Sequence, residues 1–388
     1  MKARIVGIAT CSVLIVLALQ DARANETEGL QPQRIRVLCR TDPSSTATIS
    51  WDTAEQGSRH FVRLAAKGDD QPKIVVARHN GRYTGGSGYF HHARVTGLSA
   101  DTEYVMTLHS DKSSSDVYRI RTTSNLDRPV SLLYTQCPID GEHLETSLEA
   151  TGRAIAAEGR KSAALVMQCD AIAGFASWRA WLDMYAEASD RSKPLLPIAP
   201  VPGKMNEVQY AEWFDLRDRE TTYYRLPFGK QLGLLVLDTS ISLAGRQREW
   251  LADEIKSERR KRRWMMATYA AAAYPATTRP SRVHAHWTQL FDDFHVDLAC
   301  ESERFGYRRS MAIRGGARDD LGTVYLGLGE TPYRIWRPRQ PRWYLAPPGT
   351  VDRSTGSVLL EFKDDSLTIV ATATDGRRIE SHRVEPRK

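Results

Sequence analysis

Gly97-Leu98-Ser99-Ala100-Asp101-Thr102-Glu103-Tyr104 reads as a corner between two β-strands, and the fold is decided outward from it. Phe90–Thr96 precedes it and Glu103–Ser110 follows, each a short alternating run. Runs of the same kind are Arg34–Cys39, Thr46–Trp51, Phe61–Ala66 and Asp116–Arg121. Asp42-Pro43-Ser44-Ser45 and Gly68-Asp69-Asp70 break the chain between them. Strands at this spacing predict a β-sandwich of about 90 residues, placed over 34–124. Trp51, closing its strand, reads as a core anchor, and Cys39 as a small buried hydrophobe of the sandwich.

The corner resembles the "G-L-x-P-x-T-x-Y" corner of fibronectin type III domains, with Ala100 in place of proline. Together with Phe90-His91-His92-Ala93-Arg94-Val95 it resembles the N-terminal domain of purple acid phosphatases. Neighbouring residues of a strand face opposite ways. His91 and His92 are therefore expected as structural residues and not as a ligand pair.

After a polar linker at Asn125–Pro129 the period changes. Strands are expected at Val130–Gln136, Ala163–Cys169, Leu195–Val201, Gly233–Asp238, Trp264–Tyr269 and Val296–Cys300. Helices are expected between them at His143–Gly159, Phe175–Ala188, Gly245–Arg262 and Val283–Phe294. Alternation of this kind predicts a layered α/β core over 130–385. Strands return at Thr323–Leu328, Ser357–Phe362 and Ser366–Thr372.

Chemistry in such sheets sits in loops beyond the carboxyl ends of strands. Those loops resemble, in order and spacing, the signature loops of calcineurin-like metallophosphoesterases, the purple acid phosphatase branch above all. Pro200-Val201-Pro202-Gly203 is similar to the run before the family's "G-N-H-E". Leu234–Thr239 is similar to its "L-D-S" strand, and Gln247-Arg248-Glu249-Trp250-Leu251 to its "Q-x-x-W-L" helix. Val296-Asp297-Leu298 leads into the place of "G-H-D-H-x-Y-E-R", whose end Tyr307 and Arg309 match. The resemblance implies a two-domain α+β chain: a fibronectin type III-like sandwich followed by an α/β/β/α metallophosphoesterase-like sandwich.

The family uses two metal ions, such as iron, zinc or manganese, bridged by a carboxylate. Its ligand positions fall on Gln136, Asp170, Ala173, Lys204, Ala270, Glu303 and Phe305, and its substrate-facing histidine on Met205. Asp170 alone keeps the family's residue type. Ala173, Ala270 and Phe305 have no donor atom, and imidazole, the ligand suited to zinc or iron, is missing from all three of its places. Lys204 sets a cation where a metal contact belongs. Two unit charges ~4 Å apart interact by ~1 kcal/mol in water and ~4 kcal/mol at an effective dielectric of 20, and a divalent ion feels about twice that. The dinuclear site is not expected to form, and no cofactor is expected.

Three readings of the replacements stay open. Lys204 or Arg304 can pair with Asp170 or Glu303 as infill of a vacated pocket, because buried carboxylates need partners. Lys204, Arg304, Arg308 and Arg309 can form a metal-free phosphate or sulfate site. Asp140, Glu142, His143, Asp170 and Glu303 can hold one relocated hard cation. Cys137 and Cys169 fall on two loops that lie side by side in the family, so the resemblance implies either a disulfide between them or buried thiols.

Residues 1–24 read as a secretory signal: Lys2 and Arg4, an apolar Ile5–Leu19, then Ala22-Arg23-Ala24. A flexible lead is expected over 25–33, and no later stretch is apolar enough to span a membrane. The leader carries three basic residues and one acidic, so its removal lowers the net charge of +7 to +5. Basic residues are scattered, without the aromatic-interleaved stripe of a nucleic-acid face. Arg259-Arg260-Lys261-Arg262-Arg263 closes a predicted helix, where cations complement the dipole. The chain is thus expected to be an exported, secreted or periplasmic pseudoenzyme that binds or scaffolds an extracytoplasmic ligand or protein. A living phosphomonoesterase with rearranged ligands is the alternative.

Overall fold

The computed structural model describes residues 28–136, 144–169, 174–189, 194–203, 207–215, 221–331 and 341–386. The front domain holds β1 Gln33–Leu38, β2 Thr46–Thr53, β3 His60–Ala66, β4 Lys73–Val76, β5 His79–Arg82, β6 Tyr89–Thr96, β7 Glu103–Ser110, β8 Ser113–Ser114 and β9 Tyr118–Arg121. Its two sheets close over Ile49, Trp51, Val62, Leu64, Val95, Met106 and Leu108. Trp51 is fully buried, as expected of an anchor, and its indole donates to Ser110 Oγ at 3.1 Å. At the corner the Ser99 amide donates to the Tyr104 hydroxyl at 2.7 Å, so the aromatic ring of one strand ties down the turn before it. The segment expected as a flexible lead is docked from Gly29 onward, whose carbonyl accepts from the Ala54 and Glu55 amides at 2.9 Å.

The second domain runs β10 Val130–Gln136, α1 Leu144–Glu158, β11 Ala164–Gln168, α2 Phe175–Ala188, β12 Ile198–Val201, α3 Glu207–Phe214, β13 Tyr224–Phe228, β14 Leu232–Val236, α4 Arg246–Arg259 and β15 Trp264–Tyr269. It continues with α5 Arg282–His286, α6 Thr288–Phe294, β16 Leu298–Phe305, β17 Tyr307–Arg309, β18 Ile313–Arg314, β19 Ala317–Arg318, β20 Val324–Thr331, β21 Thr350–Asp352, β22 Gly356–Phe362, β23 Leu367–Ala373 and β24 Arg378–Val384. Alternation along the strands makes the layers. Leu132, Tyr134 and Val166 face Leu234, Met266, Leu298 and Leu326 of the second sheet. Leu133, Leu165 and Met167, one residue out of phase, pack outward on Trp178, Trp181 and Tyr185 of α2. Met265, Ala267 and Ala299 pack outward on Leu251 and Ile255 of α4 and Phe291 of α6. The order is helix, sheet, sheet, helix, as the resemblance implies.

The two domains share a sheet. Strand β1 pairs in parallel with β12 at Leu38 and Ile198, and the Cys39 amide donates to the Ile198 carbonyl at 2.8 Å. One sheet therefore crosses both domains, in the order β24-β23-β22-β10-β11-β12-β1-β2-β6-β5. The facing sheet runs β13-β14-β15-β16-β20-β17-β21. Cys39 accordingly packs with Leu132, Val166 and Val201 between the α/β sheets, not in the sandwich core. Cys39 and Cys300 are buried thiols; burial pushes Cys39 up to about 12.

A polar clamp joins the domains at the end of α3. Asp215, fully buried just past the helix with a left-handed φ of 57°, accepts from Arg94 at 2.6 Å and His79 at 2.7 Å and ion-pairs with Arg40 at 3.0 Å. Glu212 accepts from the Thr84 amide and hydroxyl, the latter at 2.6 Å. His92 Nε2 donates to the Glu212 carbonyl at 3.0 Å, and its Nδ1 lies 2.7 Å from Ser50 Oγ. His91 points the other way, stacked at 3.7 Å on His60. The two histidines are thus structural and face opposite sides, as the strand period requires.

Four of the five basic residues at the end of α4 have acidic partners within the chain. Arg259 pairs with Asp297 at 2.7 Å, Lys261 and Arg262 with Glu258 at 3.3 and 3.0 Å, and Arg263 with Asp364 at 3.7 Å. Among the described residues no helix is long and apolar enough to cross a membrane.

Candidate functional site

The parallel strands β10, β11 and β12 end level with one another, at Gln136, Gln168 and Val201. The facing strands β15 and β16 end at Tyr269 and in Glu301–Phe305. At this end side chains stitch the sheets together. The Tyr134 hydroxyl donates to the Glu301 carbonyl at 2.9 Å, and Gln168 Nε2 to the Tyr269 carbonyl at 2.7 Å. Gln136 Nε2 donates to the Leu328 carbonyl. In the resemblance Gln136 stands for a metal-binding aspartate. Here its neutral amide bridges two backbones.

Glu301, Gly327 and Arg308 are cross-strand neighbours on β16, β20 and β17. They share the sheet face turned away from the inter-sheet core. Arg308 is fully buried and donates from Nε to Glu303 Oε2 at 2.7 Å and from Nη2 to Glu301 Oε2. Gly327 makes this possible: a Cβ there would stand 2.8 Å from Arg308 Cζ. Burial opposes the charge on Arg308, but the two carboxylates outweigh it and hold its pKa above the ordinary value.

The remaining carboxylate oxygens are also taken. Glu301 Oε1 accepts from the Tyr269 hydroxyl and the Ala273 amide, both at 2.7 Å. Burial, and then the charge of Glu301, push the Tyr269 hydroxyl well above its usual value, so it stays a donor. Glu303 Oε2 accepts a second bond from the Ala276 amide at 2.9 Å, and Oε1 accepts from the Arg304 amide at 3.1 Å. The alanine run after β15 thus folds over the carboxylates and supplies backbone N–H groups. Ala270, Ala273 and Ala276 are buried in doing so.

The Glu303 carboxylate takes the guanidinium of Arg308 as its ion-pair partner and accepts from the backbone amide of Arg304. Arg304 directly follows Glu303 on the strand, so its side chain projects to the opposite face, and it is exposed. Arg308 and Arg309, expected to face an anion, are turned inward. Arg309 is almost fully buried and bidentate to Glu380, with both contacts at 2.9 Å. Phe305 ends β16 opposite Thr331. Asp170, Ala173, Lys204, Met205 and Cys137 lie outside the described residues. Cys169 is buried, with Sγ 3.5 Å from the Met167 carbonyl oxygen.

Sequence reasoning missed Glu301, Gln168, Tyr134 and Tyr269, and the role of Arg308. A signal for the last existed. In "G-H-D-H-x-Y-E-R" the glutamate position is Arg308, while the first histidine position is Glu303. The carboxylate and its partner have moved to opposite ends of the motif.

Among the described residues the donor set does not fit a pair of metal ions. The Ala270 side chain has no donor atom, Gln136 turns its N–H group to a carbonyl, and all four oxygens of Glu301 and Glu303 already face donors. Among the described residues no three His, Cys, Asp or Glu side chains come together as a metal-binding group.

Comparison with known proteins accords with this architecture. Residues 32–122 match the family model "Purple acid Phosphatase, N-terminal domain". Purple acid phosphatase PPD1 from yellow lupin (Lupinus luteus) seeds superposes with a TM-score of 0.76 at 14% identity, covering 92% of this chain and 74% of that one. PhoD superposes with a TM-score of 0.60 at 10% identity, covering 90% and 89%. GAP50, the anchor in the inner membrane complex of Plasmodium, superposes with a TM-score of 0.53 at 11% identity, covering 67% and 90%. No curated protein matches by sequence. Residues 32–122 are thus similar to the purple acid phosphatase N-terminal domain, and the chain as a whole shares the fold of purple acid phosphatase PPD1 and of PhoD.

Proposed function

We propose that this chain is an exported, non-catalytic relative of the metallophosphoesterases that serves as a binding or scaffolding module outside the cytoplasm. One observation carries the reading: Glu303, at a metal-ligand position, is neutralised by the buried guanidinium of Arg308 instead of a metal ion. Export is inferred from the leader at residues 1–24, and the front domain is read as fibronectin type III-like from its corner. The use of a similar fold as an anchor in GAP50 is in keeping with a role in holding partners and not in turnover.

The test is direct. The chain without residues 1–24 is purified, its zinc, iron and manganese content measured, and a chromogenic phosphomonoester offered to it. Substoichiometric metal and no turnover are expected. Stoichiometric metal with turnover abolished by Asp170→Ala would make it a living phosphoesterase. A thermal shift with phosphate or sulfate, lost in Lys204→Ala, would name an anion as the bound ligand.

A further inference from the structure

We propose that strand β4 is a self-complementary edge through which two copies of this chain pair antiparallel about a two-fold axis, continuing the front domain's five-stranded sheet from one copy into the next. β4 ends that sheet, whose order is β4-β3-β7-β8 with β9 on β7, and among the described residues no strand pairs with its far side. The phase of its pairing with β3 is fixed by the Ala77 amide, which donates to the His60 carbonyl at 2.9 Å. Facing residues of antiparallel strands alternate between exchanging hydrogen bonds and turning those groups away. Val75 and Lys73 therefore bond to β3, opposite Val62 and Leu64. Ile74 and Val76 turn their N–H and C=O groups outward from the sheet. Their side chains stand on its outer face, 55% and 54% exposed, while Val75 packs on the sandwich core.

An open apolar edge of this kind invites another strand unless something blunts it. Lys73 is the residue placed to do so, but its ammonium is folded back to donate to the Thr96 carbonyl of β6 at 2.6 Å. Charge selects which strand fits. Asp69 and Asp70 precede β4 and Arg78 follows it, all three exposed. A two-fold interface sets one patch against itself, so that patch has to be self-complementary. Laid antiparallel with Ile74 on the axis, β4 places Asp70 of each copy opposite Arg78 of the other, twice per dimer. Ile74 then exchanges both backbone bonds with its counterpart. The Val76 amide meets the Pro72 carbonyl, the one backbone bond a proline can still make. A strand with one sign of charge at both ends would instead repel its copy.

A charge swap tests the pairing in the chain without residues 1–24. Sedimentation equilibrium should show a monomer–dimer system with Kd on the order of 10 µM, since a contact made by one strand edge lies at the small end of interfaces. Asp70→Arg and Arg78→Asp should each weaken it by about tenfold or more, because each substitution acts twice in the dimer. The double variant Asp70→Arg/Arg78→Asp should return to within about threefold of the wild type, as opposite charges face each other again. Ile74→Lys should give a monomer with the wild-type circular dichroism. Hydrogen exchange at the Ile74 and Val76 amides should slow as protein concentration rises. A wild type that stays monomeric at about 100 µM would overturn the pairing and leave the edge to a strand of another protein. A dimer that Asp70→Arg does not weaken, or a double variant no tighter than the single ones, would overturn it as well.

Discussion

Acid should destabilise this protein through two buried histidines, in a pH range where carboxylates contribute little. Burial, followed by the charges of His60, His92 and Arg36, lowers His91 from 6.5 to about 2. Burial lowers His92 to about 3, with the nearby Asp215 pulling the other way. Both imidazoles are therefore neutral when folded. In the unfolded chain they take up protons as pH falls through about 6.5, so the unfolded state binds more protons and stability falls with pH. At about pH 5 each histidine sits ~1.5 pH units below its unfolded pKa, which costs ~2 kcal/mol apiece or ~4 kcal/mol for the pair. That is a large share of a typical ~5–15 kcal/mol. Asp215, Glu258 and Glu380 are held below their ordinary values, so their stabilisation is present above about pH 4.5 and lost only under stronger acid. Urea unfolding followed by tryptophan fluorescence at about pH 7.5 and 5 measures the slope. A His91→Gln/His92→Gln variant should lose ~4 kcal/mol less across that interval than the wild type. Equal losses in the two proteins would refute the assignment of neutral, buried imidazoles.

Three further outcomes are expected. Asp215→Asn removes the charge that Arg40, Arg94 and His79 share at a fully buried position, and should cost about 3–5 kcal/mol in urea unfolding; a loss under about 1 kcal/mol would show that the clamp is not what holds the domains together. Gly327→Ala drives a Cβ into the Arg308 guanidinium and should cost about 1–3 kcal/mol, and a neutral result would mean that Arg308 can shift aside. A Cys137–Cys169 bridge would leave neither cysteine alkylatable in the unreduced, denatured chain; mass-spectrometric detection of alkylated Cys169 there ends that pairing.

Much of the molecule is written in local pattern. Period-two runs mark the strands of both domains, and the corner ending at Tyr104 marks the sandwich, because each depends on residues that are near neighbours in the chain. The chemistry a side chain can offer is equally local: Ala270 has no side-chain donor atom in any fold, and no packing can supply one. What the chain could not disclose by pattern are the pairings of distant segments. The continuity of one sheet across the domain boundary, through Leu38 and Ile198, rests on backbone hydrogen bonds that any two extended strands could make. The same holds for Asp215, which reads as one more surface acid until Arg40, Arg94 and His79 converge on it from the other domain. Glu303 had three arginines within six residues of it in the sequence. Strand geometry turned the Arg304 side chain to the opposite face and Arg309 to Glu380, and set Arg308, across a glycine, as its counter-charge.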